Sequence, residues 1–380
     1  MAIRFLTAGD SHGEALVGIV EGLPAGLALD VRAIQRDLAR RRMSYGRSSR
    51  QKIEQDEVAL LGGLWKGKTT GAPIAITLPN RARTVQGKDG GGLETVPRPG
   101  HADFAGMMKY GFDEVPPVSE RASARSTAMR VAIGAIAKAF LDELGVHAIG
   151  HVKSIGSVSA DTSDLSLARI RQRAGRSPVY CADARAAKRM MAEIQRGRRE
   201  GNSLGGSVEV IVTGLFPGIG SHVEWDRKLD GRLAGAMMSI QSVKAVEIGD
   251  GLSTFRARGI DAHDAMQVKR GRVLRPSNHA GGIEGGMSNG EPVVVRIYSK
   301  PIPTAPRRAQ TFDFATLAPT ESPYVRSDIC VVPVLAVIAE SVAAWEILAA
   351  IMEKLGGDHI KDTLAARDRV LAEQSRRLSK

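Results

Sequence analysis

The longest apolar run in the sequence, Val331 to Leu348, is interrupted by Glu340 and by Trp345-Glu346. It is therefore expected to form the core helix of a soluble fold rather than a membrane span, which needs about 20 predominantly apolar residues. The helix is expected from Pro333 to Leu355, where Gly356-Gly357 stops it. A second core helix is expected from Ala124 to Leu144: Met129, Ile133, Ile136, Ala137 and Phe140 recur at helical spacing, and Gly145 follows as a terminator. At 380 residues and 43% hydrophobic, the chain can bury one large core or two ordinary ones. No linker or low-complexity block divides it, so residues 1–380 are expected to form a single domain, with 357–380 as a C-terminal tail.

Shorter signals fill in the rest. Asp30 is a plausible N-cap for a helix whose apolar face carries Val31, Ile34 and Leu38 and whose last turn carries Arg40, Arg41 and Arg42. Glu57 to Leu61 and Pro73 to Leu78 read as strands of a hairpin-like unit, and the Gly-rich stretch that follows, through Gly92, is expected to be a mobile loop or lid. Asp183 should cap a helix running to Arg199, and Val208 to Leu215 should be a strand. Asn289-Gly290, between apolar flanks in Met287 to Tyr298, is a strong hairpin signal. A faint echo links Gly18 to Pro24 with Val210 to Pro217 and permits a duplicated strand unit without establishing one. Together these elements support a mixed α+β protein with antiparallel hairpins.

Lysine and arginine (53) exceed aspartate and glutamate (41), for a net charge of +12. That balance raises a nucleic-acid alternative, but only 4% of residues are aromatic and no zinc-finger or RNP-type motif is present, so few stacking platforms exist for single strands. Much of the basic charge sits in Arg/Gly/Ser segments such as Arg40 to Arg42 with Arg47, and Arg121 to Arg125, which suit a pocket for a polyanionic small molecule. Cys181 and Cys330 lack CxxC spacing, which argues against a disulfide framework and a zinc site. The N-terminus lacks a secretory pattern, so a cytoplasmic location is expected. Gly62 to Thr69 matches the GxxxxGK[ST] phosphate loop, but Thr70-Gly71-Ala72-Pro73 blocks the helix that such a loop must open, so the match is rejected. No GxGxxG supports a dinucleotide fold.

Three segments hold ionisable residues among glycines and other small residues. They are Gly9-Asp10-Ser11-His12-Gly13-Glu14, Arg98-Pro99-Gly100-His101-Ala102-Asp103 and Arg326-Ser327-Asp328. A lone histidine is more often structural or merely exposed than catalytic, by about three to one. Two in rigid Gly/Pro settings point toward catalysis.

With Glu120 to Arg125, Val246 to Gly251 and Ala280 to Gly286, these segments make six ordered motifs over roughly residues 5 to 345. In order and spacing the sequence resembles the chorismate synthase family. Where that family often has Arg-Glu-Thr, this chain reads Arg125-Ser126-Thr127, with no acid at position 126. Residues 160–183 and the tail carry no motif of the family.

The resemblance implies a β-α-β sandwich, with two antiparallel sheets enclosing a helical layer, assembled as a homotetramer. It implies a lyase that converts 5-enolpyruvylshikimate 3-phosphate to chorismate and phosphate by 1,4-anti elimination, with reduced FMN. The substrate carries two carboxylates and a phosphate, about −3.5 to −4 in charge if phosphate contributes about −1.5 to −2. Planar guanidiniums at Arg41, Arg47, Arg125 and Arg326 suit such a ligand.

By resemblance, His12 would protonate the leaving phosphate, His101 would act as a proton donor to reduced flavin, and Asp328 would relay a proton. FMN contacts would fall on Arg121, Ala122, Ser123, Gln241, Ser242, Gly285, Lys300, Pro301, Ile302, Pro303, Thr304 and Arg326. Arg41 and Arg47 match either NADPH or substrate positions, and Arg125 a substrate position. Whether the protein reduces its own flavin, with NADPH, or relies on a separate flavin reductase stays open. The alternatives are a basic nucleic-acid-binding protein, or another lyase or transferase acting on a phosphorylated carboxylate.

Overall fold

The computed structural model describes residues 3–47, 55–81, 94–269, 272–323 and 328–379. The Gly-rich stretch expected to be a lid falls largely on 82–93 and lies outside them, as does Arg326. Among the described residues, strands β1 (Arg4–Ala8), β2 (Ala15–Glu21), β3 (Ala59–Leu60) and β6 (Ile74–Pro79) form an antiparallel sheet in the order β1-β2-β6-β3. Between β3 and β6, β4 (Leu64–Trp65) and β5 (Lys68–Thr69) make a small hairpin. Its turn residues Lys66 and Gly67 both have positive φ, so the phosphate-loop lookalike opens no helix. In a second antiparallel sheet, β7 (His147–Ile155), β8 (Val158–Ser159), β9 (Gly206–Thr213) and β10 (Val243–Ile248) combine with the strand Val293–Ser299. The order is β10, Val293–Ser299, β9, β7, β8. The two echoing segments thus overlap the ends of β2 and β9, each paired on both sides.

Close packing of helices on these sheets follows from glycines that face them. On β2, Leu16 and Val20 are buried, and a Cβ at Gly18 would stand 2.6 Å from Met129 Sδ on helix α4 (Thr127–Glu143). Helix α4 in turn meets the long helix Val332–Leu355, where a Cβ at Gly134 would stand 2.6 Å from the Ser341 carbonyl oxygen. That long helix lies on β7, where a Cβ at Gly150 would collide with the Ala336 carbonyl. Absent side chains are what let these backbones approach.

Among the described residues, Val332–Leu355 is the one helix long and apolar enough to cross a membrane, and nearly all of it is buried inside the fold. The charge in its middle is accounted for. Glu340 accepts hydrogen bonds from Arg40 at 2.7 and 3.0 Å, from Lys138 at 2.8 Å and from the Gly150 amide at 3.0 Å. Burial opposes its ionisation, but Lys138 and Arg40 hold the carboxyl well below its ordinary range. Helix α1 (Val31–Arg42), capped by Asp30 through the Arg32 amide, is thereby tied to the core.

Several expectations need correction. Val31 is 40% exposed, so the buried face of α1 runs through Ile34 and Leu38 only, with Arg41 beside them. Asn289-Gly290 does not turn a hairpin between its own flanks. Gly285-Gly286, both at positive φ, instead join Ile283–Glu284 to Met287–Ser288, and both edges of Val293–Ser299 are taken by β9 and β10. Residues 167–176 form a helix whose Ile170 and Ala174 pack on Ile149 and Ile211, the face of the second sheet away from the long helix. Most of the tail is the helix Ile360–Leu378, capped by His359 with a reciprocal bond from Asp362, and Ala25 bonds to both Asp358 and Ile360. The helix Ala184–Arg199, with Asp183 accepting from the Arg185 and Ala186 amides, is as expected.

Candidate active site

Between β1 and β2 the chain turns through residues 9–14. Gly9 has φ +103°, and a Cβ there would strike the Ala15 carbonyl, so only glycine makes this entry. The turn sets Ser11 and His12 against helix α3 (Pro116–Ala122; the intervening helix α2 is Asp103–Tyr110). His12 Nδ1 lies 2.7 Å from Glu120 Oε1, while the His12 amide and the Ser11 hydroxyl each donate to Glu120 Oε2 at 2.7 Å. Burial works against a charged Glu120, but the bonds from His12 and Ser11 outweigh it and draw its carboxyl down to about 2. Next in the helix, Arg121 donates to the Thr7 carbonyl at 3.0 Å and to Thr7 Oγ1 at 2.9 Å, pinning α3 to the end of β1.

The second histidine has a matching anchor. His101 Nδ1 is 2.5 Å from Asp103 Oδ1 and 3.1 Å from an Arg98 guanidinium nitrogen. Asp103 is fully buried and takes bonds from Arg98 Nε at 2.7 Å and from the Arg98 amide at 3.0 Å. Despite burial, His101 and Arg98 hold the Asp103 carboxyl far below its ordinary range. Gly100, at φ +79°, lets its carbonyl accept from Lys300 Nζ at 2.6 Å. The Lys300 amide donates to the Ser242 carbonyl at 3.0 Å, and Ser203 Oγ donates to the Ile302 carbonyl at 2.6 Å. Gln241 reaches Ser126 Oγ at 3.1 Å, one turn beyond Ser123, whose hydroxyl caps the Arg125 amide at 3.2 Å.

A cluster of guanidiniums adjoins the first histidine turn. Asp56, buried, sits between Arg125, with which it makes a short ion pair, and Arg41 at 3.4 Å. Arg41 also donates to Thr127 Oγ1 and to the Ala124 carbonyl, each at 3.1 Å. Arg47 pairs with Asp328 Oδ2 at 2.7 Å. Burial is the main pull on Arg41 and, with Arg47 and Arg125 nearby, outweighs Asp56 and lowers its guanidinium to about 9. Three guanidiniums face two carboxylates, so this group favours an anionic ligand. Asn80 joins it to the first turn, accepting from Arg125 Nε at 2.9 Å and donating to the Asp10 and Gly13 carbonyls at 2.9 Å each. The Ile329 amide donates to the Gly46 carbonyl at 3.0 Å and holds Asp328 beside Arg47.

The structure therefore gathers His12, His101, Asp328, Arg41, Arg47, Arg125, Arg121 to Ser123, Gln241, Ser242 and Lys300 to Thr304 along one connected set of contacts. Gly285 stands apart at its hairpin tip, with open space around a would-be Cβ and no described bond to the others. Reasoning from sequence missed Glu120, Asp103 and Arg98, although each lies in a motif segment. It also missed Asp56 and Asn80, for which no local signal exists. No group of three or more His, Cys, Asp or Glu among the described residues could hold a metal ion.

Comparison with known proteins matches this arrangement to one family. The chorismate synthase family model matches residues 3–352. A chorismate synthase of Desulforudis audaxviator is 48% identical, with 97% of each chain covered, and one of Thermobifida fusca is 47% identical over 95% of this chain and 96% of that one. A solved crystal structure of chorismate synthase superposes with a TM-score of 0.82 at 35% identity, covering 99% of both chains. Matches of this length leave the nucleic-acid alternative without support, and the chain belongs to the chorismate synthase family.

Proposed function

We propose that the protein is a chorismate synthase: a lyase that eliminates phosphate from 5-enolpyruvylshikimate 3-phosphate to give chorismate, with reduced FMN as its cofactor. The observation that carries this is the guanidinium cluster of Arg41, Arg47 and Arg125, bonded through Asn80 to the turn bearing His12. Arginines matched to carboxylate and phosphate oxygens hold the substrate, and their surplus positive charge favours its polyanionic form. His12 keeps a proton for the departing phosphate, and Asp328, steadied by Arg47, accepts one.

The chemistry of the neighbouring donors fits a flavin mononucleotide. Arg121 and Lys300 offer positive charge, Ser123, Gln241 and Ser242 offer neutral hydrogen-bonding groups, and Ala122 and the Pro-rich Lys300 to Thr304 segment leave room for backbone contact. Held by these residues, reduced FMN would supply electron density for the loss of phosphate without net oxidation. His101 keeps a proton on the cofactor's side of the site, its ring fixed by Asp103. Arg41 is only 4% exposed, which suits a compact substrate group better than NADPH.

The proposal extends to the assembly and setting. The approaches at Gly18, Gly134 and Gly150 support a sandwich in which two sheets enclose α4 and Val332–Leu355. Exposed apolar side chains such as Leu6, Trp225 and Ile260 suit burial between copies in a homotetramer. A cytoplasmic location and delivery of reduced flavin, by a separate reductase or from NADPH, complete the picture.

Alanine variants at His12, His101 and Asp328 test the assignment. Each should fold and retain FMN binding while releasing phosphate about 10²–10⁴-fold more slowly than the parent. Near-parental turnover in all three, or an unfolded His12→Ala protein, would return these residues to structural roles.

A further inference from the structure

We propose that Glu120 is a positioning residue for His12, fixing the ring tautomer in which Nδ1 carries hydrogen and Nε2 faces the reacting phosphate. This rests on the function proposed above.

Hydrogen bookkeeping around the ring leads to it. Ser11 has one hydroxyl hydrogen, and its oxygen lies 2.7 Å from Glu120 Oε2 and 3.0 Å from His12 Nδ1. An ionised carboxylate has no hydrogen to share, so the hydroxyl hydrogen goes to Glu120 and the serine oxygen is left as an acceptor toward the ring. Nδ1 then faces two acceptors, Ser11 Oγ and Glu120 Oε1, and must itself carry the hydrogen between them. The low carboxyl pKa of Glu120 keeps it ionised at any working pH.

Geometry adds a second constraint. One carboxylate grips both the ring and the backbone amide of His12, so the carboxylate is fixed relative to the turn, and rotating the ring breaks the Nδ1 contacts to Glu120 Oε1 and Ser11 Oγ. Asn80 holds the turn from the other side through Asp10 and Gly13. In the step served, the Nε2–H bond breaks, the proton passes to the oxygen of the leaving phosphate, and the ring becomes neutral with its remaining hydrogen on Nδ1. Glu120 takes no proton. It stabilises the cationic ring beforehand and orients the neutral ring afterwards, as a buried carboxylate does for the histidine of a hydrolase triad.

The test is a double-mutant cycle on phosphate release, run with Glu120→Ala, His12→Ala and the double variant. Glu120→Ala should lower kcat by at least about tenfold, and by no more than His12→Ala does, with KM changed far less. The double variant should be no slower than His12→Ala alone. Losses that multiply in the double variant, or a Glu120→Ala effect confined to KM, would overturn the proposal. Glu120→Gln keeps the side-chain shape and serves if the alanine variant does not fold.

Nitrogen-15 spectra of the histidine rings provide a readout that needs no turnover. The neutral His12 ring should show a protonated Nδ1 in the parent and a mixture of tautomers in Glu120→Gln. An unchanged tautomer in that variant would also overturn the proposal. A parent protein that releases no phosphate would instead overturn the proposed activity, and the spectra would still decide what Glu120 does.

Discussion

Charged groups in this protein are buried in compensated sets, and that construction has a pH signature. Glu120 and Glu209 both have ordinary values of 4.5 and are drawn to about 2 although burial opposes it, Glu120 by His12 and Ser11, Glu209 by His151 and Arg296. Each folded carboxyl binds its proton less readily than the unfolded one. Its contribution is therefore complete above about pH 4.5 and is lost as pH falls toward about 2. Denaturant titrations should show unfolding free energy dropping steadily through that window, and a flat profile there would show the pairs to be uncoupled from folding. At this scale the sequence was partly legible. His12 and His101 were visible because glycines flank them, whereas Glu120 lies 108 residues from His12 and no spacing rule connects the two. Asp56 and Asn80 were invisible for the same reason, since their meaning comes from partners brought together by the fold.

Among the elements, helices were legible from periodicity and caps, but strand pairing was not. The strand Val293–Ser299 inserts between β9 and β10, which precede it in the chain, and this nonlocal choice overrides the local turn signal at Asn289-Gly290. What the helices could not announce is how closely they approach the sheets. Gly134→Ala and Gly150→Ala would drive a methyl into the backbone or Cβ of the long helix, and overpacking of this kind typically costs about 1–3 kcal/mol. Gly134 lies within α4, so a helix-propensity gain of about 1 kcal/mol offsets part of its cost. Gly18→Ala meets only side chains, chiefly the flexible Met129 thioether, and should be milder than Gly150→Ala. Thermal unfolding of the three variants should place Gly150→Ala as the least stable. An order with Gly18→Ala lowest would mean that α4 is set more rigidly on β2 than the long helix is on β7.

For the molecule as a whole, the two core helices and the mixed α+β class were legible because an apolar helix must be enclosed. Sheet order, the burial of Glu340 and the helical C-terminus were not, because each depends on contacts between distant parts of the chain. The resulting fold brings two carboxylate-anchored histidines, a guanidinium cluster and a set of small, basic and amide residues to one place. The most direct test of what that place does is anaerobic incubation of the protein with 5-enolpyruvylshikimate 3-phosphate, with chorismate and phosphate both quantified. Equal amounts of the two products are expected when chemically reduced FMN is supplied, and none with oxidised FMN and no reductant. Full turnover without reductant, or phosphate released without chorismate, would contradict the account.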